Sequence, residues 1–226
     1  MAFLGEVRLD ARTLLREVDE FHEFLRNKPR GERKHFLPFF TKHPQICTYL
    51  GFFNIGVRSP THIATEFSLW GDFTCDLVAG SIRDKAFVCV EFEDAAENSL
   101  FRPQAGRKNS HWGTRAEHGV SQVIDWLFRI SREGGSDQLQ RDFGARHLRL
   151  IGLVVVGRNA DVNEYDRVRL EWRSHNNIVG GANIWLVTYD DLLEWLNGRV
   201  EMIRRADEIS QSSRTQKAKP MRRKRR

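Results

Sequence analysis

The sequence predicts one α/β domain built on a mixed β-sheet, and three observations support this fold class. Helical and strand patterns alternate along the chain, in the order helix, three strands, helix, strand, then strand and helix. Residues 148–156 are nearly all apolar in their second half, which is typical of a central strand covered on both faces. A length of 226 residues is sufficient for one well-buried core, and no internal repeat divides it.

The N-terminal part of the chain is predicted to be helical. Apolar residues recur at helical spacing within residues 4–26, and Lys-Pro-Arg-Gly at 28–31 ends this first helix. A second helix begins at about Glu32 and carries three phenylalanines on one side, although Pro38 is expected to shorten or kink it. Residues 45–50 are expected to add one further helical turn.

Three strands follow this helical region. Residues 61–70 alternate polar and apolar side chains, and two short apolar segments at 73–79 and 86–92 come next. A polar turn at 80–85 joins the last two, so these strands are expected to be neighbours in the sheet.

The second half of the chain mixes loops with regular elements. In chain order these are a loop at 97–111, a helix at 114–132, a loop with room for a helical turn at 134–146, and strands at 148–156 and 183–188. Residues 168–172 fit either a helix or an edge strand. A last helix begins at 190–197, with Thr188 or Asp190 as its N-cap and Gly198 near its end.

The formal charge of +6 belongs to one end of the chain. Residues 214–226 contain eight Lys or Arg and no acid, and without them 28 basic residues face 30 acidic ones. The body is therefore slightly acidic, and the basic tail lacks apolar periodicity and is expected to be disordered. The tail could attract phosphate backbones without regard to sequence. It could equally be a solubilising or localisation-like run with no further role.

Composition excludes several classes of protein. No apolar run approaches the ~20 residues that cross a bilayer, so no membrane association is expected. Residues 1–20 mix acidic and basic side chains into their apolar pattern, unlike a signal peptide. Cys47, Cys75 and Cys89 lack metal-ligand spacing and are expected to be buried free thiols in a reducing, cytoplasmic protein.

Three acids at the strand ends are the main functional signal. Asp76 follows one apolar run, while Glu91 and Glu93 end the next and project to the same side because strand residues alternate. Carboxylates that meet at one edge of a sheet repel one another unless a cation lies among them, and oxygen ligands favour Mg²⁺ or Mn²⁺. We expect Asp76 and Glu91 to bind the metal and Glu93 to orient or deprotonate a water, a site for hydrolysing phosphodiesters.

Other polar residues are weaker candidates for the same site. Glu32 shares a helical stripe with aromatic residues, so it either complements the helix dipole or reaches into the metal site. Gln122 lies on one helical side with His118 and Trp126, a side that faces solvent or a cleft, where the amide could bind a phosphate or a water. Glu66 is as easily a cross-strand partner as a metal ligand.

Basic residues near residues 97–115 are candidates for contacting a nucleic acid. His111, Lys108, Arg107 and Arg115 lie in or beside the loop that would cover the cleft, and each could balance charge in a transition state. Ordinary surface charge explains each of them equally well.

The order of these residues resembles a known superfamily. Asp76, then Glu91-Phe-Glu93 after a strand, then Gln122-Val-Ile-Asp-Trp126 on a helix is similar to the PD-(D/E)xK nucleases. More narrowly, residues 111–126, 154–158 and 187–193 resemble the nuclease domain of Shedu anti-phage defence proteins, and the similarity spans roughly residues 32–196.

The resemblance implies a restriction-endonuclease-like mixed sheet flanked by helices and a Mg²⁺-dependent enzyme that cuts DNA as an oligomer. By position, Asp76 and Glu91 would bind the metal, Glu32 would support the site and Gln122 would contact it. The implied organisation is an N-terminal helix at 1–30, a nuclease domain at 31–200, and a helix end with a disordered basic tail at 201–226.

One residue departs from the superfamily pattern. Glu93 stands where the usual motif has lysine, although some active restriction-type enzymes have glutamate there. Lys85 lies too far back along the strand to replace the lysine. The departure leaves open a second reading, a catalytically impaired nucleic-acid-binding or regulatory module on the same fold. A third reading is a protein-interaction subunit that uses some of the six tryptophans as anchors.

Overall fold

A seven-stranded mixed sheet forms the centre of the computed structural model, which describes the backbone of residues 4–217 and the side chains of residues 4–205. Within these residues the strands are β1 (Gly5–Glu6), β2 (His62–Leu69), β3 (Phe73–Ser81), β4 (Ala86–Phe92), β5 (Phe101–Arg102), β6 (His111–Trp112), β7 (Arg149–Val155), β8 (Ile178–Val179) and β9 (Ala182–Val187). The α-helices are α1 (Ala11–Arg26), α2 (Leu37–Lys42), α3 (Pro44–Tyr49), α4 (Thr114–Arg132), α5 (Asp137–Phe143), α6 (Glu164–Asn176) and α7 (Tyr189–Lys217).

The order of the strands confirms the predicted fold class. The sheet runs β1-β2-β3-β4-β7-β9-β8, while β5 and β6 form a separate pair. Strand β4 pairs antiparallel with β3 and parallel with β7, which in turn pairs parallel with β9. The apolar strand β7 is central, as its sequence predicts. The architecture is a mixed α/β fold consistent with a restriction-endonuclease-like fold.

Helices cover both faces of the sheet because apolar side chains of the central strands alternate. On β4, Val88, Val90 and Phe92 pack with α1, α2, α3 and the start of α7. Phe87 and Cys89 pack on the other face with α4, α5 and α6. The N-terminal helix shares the first of these cores, since its residues Leu14, Val18, Phe21 and Leu25 are buried there.

Several element boundaries differ from those expected. The predicted helix at 4–26 is wrong for its first residues, because β1 pairs with β2 and α1 begins only after Asp10, whose carboxylate accepts the Thr13 amide at 2.8 Å. Gly198 does not end the last helix, which continues to Lys217. The basic tail at 214–226 is expected to be disordered, but residues 214–217 belong to α7, and residues 218–226 lie outside the described residues.

Other expectations at this level are confirmed. Residues 32–42 form a π-helical turn (Glu32–Phe36) followed by α2, so the helix is irregular beside Pro38. The ambiguous residues 168–172 belong to helix α6. Thr188 caps α7, since its hydroxyl accepts the Asp191 amide at 3.0 Å. The three cysteines are free and buried, and among residues 4–217 no helix has the length and hydropathy of a membrane span.

Candidate metal centre

A cavity of about 370 Å³ opens at the C-terminal end of β4. Strands β3 and β4, helix α4 and the π-helical turn Glu32–Phe36 form its walls. The side chains that bear charge or an amide there are Glu32, Arg33, Glu66, Asp76, Glu91, Arg115, His118 and Gln122. The structure thus brings together Glu32, Asp76, Glu91 and Gln122, which the sequence places up to 90 residues apart.

Asp76 and Glu91 meet because of the register of β3 and β4. Leu77 pairs with Val90, so the next antiparallel pair is Asp76 opposite Glu91. Asp76 Oδ2 accepts the Phe92 amide at 2.9 Å, and burial together with the neighbouring carboxyl group of Asp76 raises the pKa of Glu91. The two acids therefore share one site at the cavity wall.

A break in strand alternation adjoins this pair. Cys75 and Val78 both pack in the core beneath α4, although strict alternation would place them on opposite faces of the sheet. Opposite the break, Glu66 has a φ of 48°, which is uncommon for a residue with a side chain. Backbone strain of this kind costs roughly 1–3 kcal/mol and concentrates at functional sites. No pattern in the sequence indicates it.

Glu93 is held by Arg115 and His118 of α4. Its side chain has no exposed surface, and His118 Nδ1 lies 2.6 Å from Glu93 Oε1. Arg115 Nη1 lies 3.5 Å from Glu93 Oε2, while Arg115 Nη2 lies 3.1 Å from Asp94. The Tyr189 hydroxyl donates to the Glu93 carbonyl at 2.7 Å, which fixes the backbone from the other face of the sheet.

Two buried oxygen atoms in the cavity have no hydrogen-bond donor among the described residues. They are Glu91 Oε2 and Gln122 Oε1. An unsatisfied buried acceptor is costly, and a bound cation is a partner that carboxylate and amide oxygens can take. Glu91, Glu93 and His118 also offer ligand atoms that lie within 4.8 Å of one another. This donor set fits a divalent metal ion, and its carboxylate and amide oxygens suit Mg²⁺ or Mn²⁺.

The metal ligands expected from the sequence differ from the cluster of ligand atoms found in the structure. The expected ligands are Asp76, Glu91 and Glu32, whereas the tightest cluster is Glu91, Glu93 and His118. We favour Asp76 and Glu91 as the metal pair, because Glu93 and His118 already satisfy each other at 2.6 Å. Glu91 is common to both sets.

Burial and mutual repulsion raise the pKa values of the acids of the cavity. Burial raises the pKa of Glu91 to about 10, and the neighbouring Asp76 carboxylate adds to this. Burial likewise raises the pKa of Asp76 to about 6 and that of Glu32 to about 7, the latter with help from Asp76. The folded chain therefore holds protons at a site whose acids would all be ionised in water.

The family model for the Shedu protein SduA C-terminal region matches residues 31–193. The chain belongs to this family. The match runs from the π-helical turn to the start of α7, so it includes every residue that lines the carboxylate cavity. Membership supports a role of this Shedu-family chain in antiviral defence. A search of curated proteins finds no match to the chain.

The residues predicted to contact nucleic acid lie in two different places in the structure. Arg115 lines the cavity of the Shedu domain, whereas Lys108 and His111 are exposed and do not line it. The loop that carries them is fastened to α6 instead, because the Ser110 amide donates to Asp166 at 3.3 Å.

The side of α4 that carries His118, Gln122 and Trp126 faces the cavity, one of the two alternatives predicted for it. All three residues line the cavity, although Trp126 has no exposed surface. Sequence reasoning missed the pairing of His118 with Glu93 and the presence of Arg33 in the cavity wall. The spacing of His118 four residues before Gln122 was the available signal.

Gly119 allows α4 to approach the acidic strand closely. A Cβ atom on this residue would lie 2.8 Å from Val154 Cγ1 and 3.1 Å from Glu93 Cγ. We expect Gly119→Ala to lower the free energy of unfolding by about 1–3 kcal/mol, because the buried neighbours must shift. Urea denaturation checks this.

The matched control is another helical glycine. A Cβ on Gly198 of α7 would have no atom within 4 Å, so Gly198→Ala should raise the free energy of unfolding by about 0.5–1 kcal/mol. Equal effects of the two substitutions would contradict the close approach of α4.

Proposed function

We propose that this Shedu-family chain is a cytoplasmic endonuclease of the PD-(D/E)xK type that cuts DNA phosphodiester bonds with Mg²⁺, or with Mn²⁺ in its place, during prokaryotic anti-phage defence. The observation that carries the proposal is the pair of unsatisfied oxygens, Glu91 Oε2 and Gln122 Oε1, in one cavity with Asp76. The free cysteines suit a reducing compartment.

The proposed chemistry divides the work among the cavity residues. Asp76 and Glu91 hold Mg²⁺, which when bound supplies the positive charge that polarises a phosphoryl oxygen and makes water more acidic. Glu32 supports the site from the π-helical turn, where its amide donates to Asp94 Oδ1 at 2.8 Å. The Gln122 amide, on α4, orients the phosphate or the attacking water.

Glu93 is proposed to orient the attacking water and accept its proton. Glu93 is buried behind the cavity wall and contacts His118 and Arg115, but each carboxylate oxygen has two lone pairs, so it retains the capacity to accept another hydrogen bond. Arg115 and Arg33 line the cavity and can offset negative charge in the transition state, the role that lysine has in the usual motif.

A plasmid cleavage assay tests the proposal. The purified protein should nick or cut plasmid DNA with Mg²⁺ and not with EDTA, and Asp76→Ala or Glu91→Ala should each abolish cutting. Single-stranded RNA of matched length serves as the alternative substrate. Cutting that survives both substitutions would exclude this site as the catalytic centre.

A second candidate function is a non-catalytic nucleic-acid-binding module. The residue that favours it is Glu93, which stands in place of the usual lysine and whose carboxylate already contacts His118 and Arg115. In that case DNA binding should not change in Asp76→Ala, and it should fall and lose its salt dependence when residues 214–226 are deleted.

Assembly into a homo-oligomer is part of the proposal. Tyr165, Val168 and Trp172 lie on one face of α6 at helical spacing and are 55%, 62% and 68% exposed. An exposed apolar stripe of this kind is typical of an interface. We expect Trp172→Glu to lower the mass measured by light scattering. Trp112, which packs against Phe101, is not altered in this variant. An unchanged mass would exclude this face as the contact.

A further inference from the structure

Residues 28–34 combine four cations and one acid beside the carboxylate cavity, and we call this segment the basic rim. Lys28, Arg30, Arg33 and Lys34 are exposed, and Arg33 also lines the cavity together with Glu32. Among the described residues, Lys28, Arg30 and Lys34 have no ion-pair partner within 4.0 Å, and Arg33 has only Glu32 at 3.8 Å. The segment therefore directs its acid towards the cavity and most of its positive charge to solvent.

Backbone hydrogen bonds fix the basic rim to the strand that carries the acids. The Ala95 amide donates to the Arg30 carbonyl at 2.7 Å, and the Glu32 amide donates to Asp94 Oδ1 at 2.8 Å. Asp94 and Ala95 directly follow Glu93, so these contacts place the rim at the edge of the cavity. Because Pro29 is buried within it, the rim is held by packing as well.

Lys28 occupies a backbone position that favours glycine. It follows the C-terminus of α1 with a φ of 51°, the left-handed conformation that usually ends a helix with glycine. A lysine there is strained, since only glycine adopts this conformation without steric cost. The chain keeps a cation where backbone geometry disfavours one.

We propose that the basic rim binds the backbone phosphates of the nucleic acid strand whose scissile bond enters the cavity. This inference rests on the proposed function, because it names the surface that presents the substrate to the same site. The rest of the body is slightly acidic, so four solvated cations on seven residues concentrate positive potential at one side of the cavity. Lys and Arg contacts to phosphates are independent of sequence and depend strongly on salt.

Salt-dependent binding to DNA tests the rim. The probe is a fluorescein-labelled 30-base-pair duplex of mixed sequence, titrated in EDTA with the full chain and with Arg30→Gln/Lys34→Gln. Each lost phosphate contact should reduce the slope of log K against log salt by about 0.9. That slope corresponds to roughly a tenfold weaker affinity per contact at 0.1 M salt.

The matched control removes the same amount of charge from helix α1, away from the rim. Arg12→Gln/Arg16→Gln alters two exposed arginines near the start of α1, more than two turns from the helix end. This control should bind the duplex within about twofold of the unaltered chain. Both variants retain residues 214–226, so the basic tail contributes equally to each.

Lys28→Gly separates a binding role from a structural one. Glycine relieves the strained conformation, so the melting temperature should rise by about 2–4 °C while DNA affinity falls by roughly tenfold. A higher melting temperature with unchanged affinity for the duplex would show that Lys28 does not contact the nucleic acid.

The outcomes distinguish this inference from the proposed function. If Arg30→Gln/Lys34→Gln binds the duplex like the control, the rim proposal is overturned even when Glu91→Ala abolishes cleavage. If the unaltered chain cuts no substrate but the rim variant loses DNA affinity, the rim is supported and the nuclease proposal fails. Loss of binding to phosphatidylglycerol vesicles without loss of DNA binding would overturn the rim as a nucleic acid surface.

Discussion

Replacing Glu91 with glutamine should abolish DNA cleavage and, at the same time, make the metal-free protein more stable. Glu91 is 4% exposed and lies opposite Asp76, and one of its oxygens has no partner among the described residues. Glutamine keeps the shape of the side chain and removes the charge. We expect the free energy of unfolding to rise by about 1–3 kcal/mol at pH 8, while cleavage falls by roughly 1,000-fold or more.

The pH dependence of stability has a defined sign. The pKa of Glu91 is about 10 in the folded chain, against a usual value of 4.5. Its contribution to stability is therefore fully present below pH 4.5 and is lost as the pH rises towards 10. Glu91→Gln should flatten this decline between pH 5 and 9, as measured by urea denaturation in EDTA.

Metal addition supplies the second measurement on the same variant. A ligand that binds only the folded state at 100 times its dissociation constant stabilises it by about 2.7 kcal/mol. Mg²⁺ should raise the melting temperature of the unaltered chain and have little effect on Glu91→Gln. Equal shifts in both proteins would mean that the cation binds elsewhere. Glu171→Gln, an exposed residue on α6, is the matched control.

Restoring the usual motif by Glu93→Lys should fail. The position has no exposed surface, and the new ammonium group would lie near Arg115 and His118, which now contact the glutamate at 3.5 and 2.6 Å. The acids of the cavity would attract it, but Arg115 and His118 contact this position directly. Because Arg115 and His118 are 47% and 56% exposed, they can turn towards solvent, so we expect a loss of about 1–3 kcal/mol rather than the roughly 3–5 kcal/mol of a fully buried pair.

Two further measurements complete this test: the cleavage activity of Glu93→Lys, and the stability of a double variant that exchanges the two side-chain types. Glu93→Lys should reduce cleavage at least about 100-fold, because the proposed proton acceptor is lost. The double variant Glu93→Lys/His118→Glu should recover part of the lost stability, which a double-mutant cycle measures. A gain of cleavage activity in Glu93→Lys alone would refute the role that we assign to Glu93.

The sequence was sufficient to predict most of the elements and the acids of the cavity. Apolar periodicity predicts α4 and β4 well, since each buries one regular stripe or run. The convergence of Asp76 and Glu91 follows from one hairpin with a short turn, a local feature of the chain. The role of each acid stays a prediction.

Long-range features could not be predicted in the same way. The strand β1 has only two residues and depends on pairing with β2, which no local pattern indicates. Trp126 shares a helical side with Gln122 and lines the same cavity, yet it has no exposed surface, which helical periodicity alone does not indicate. The pairing of His118 with Glu93 joins a helix to a strand 25 residues earlier, and periodicity contains no information on such contacts.

The packing of α1 against α7 also determines when the fold is completed during synthesis. One entire face of the sheet is closed by side chains from Leu14 to Val200, so this face cannot be completed until Val200 has left the ribosome. The acids of the cavity are all made earlier, between Glu32 and Glu93. A nascent chain therefore carries these groups on an unfinished scaffold, and the proposed nuclease activity would require residues as far as Val200 to be made first.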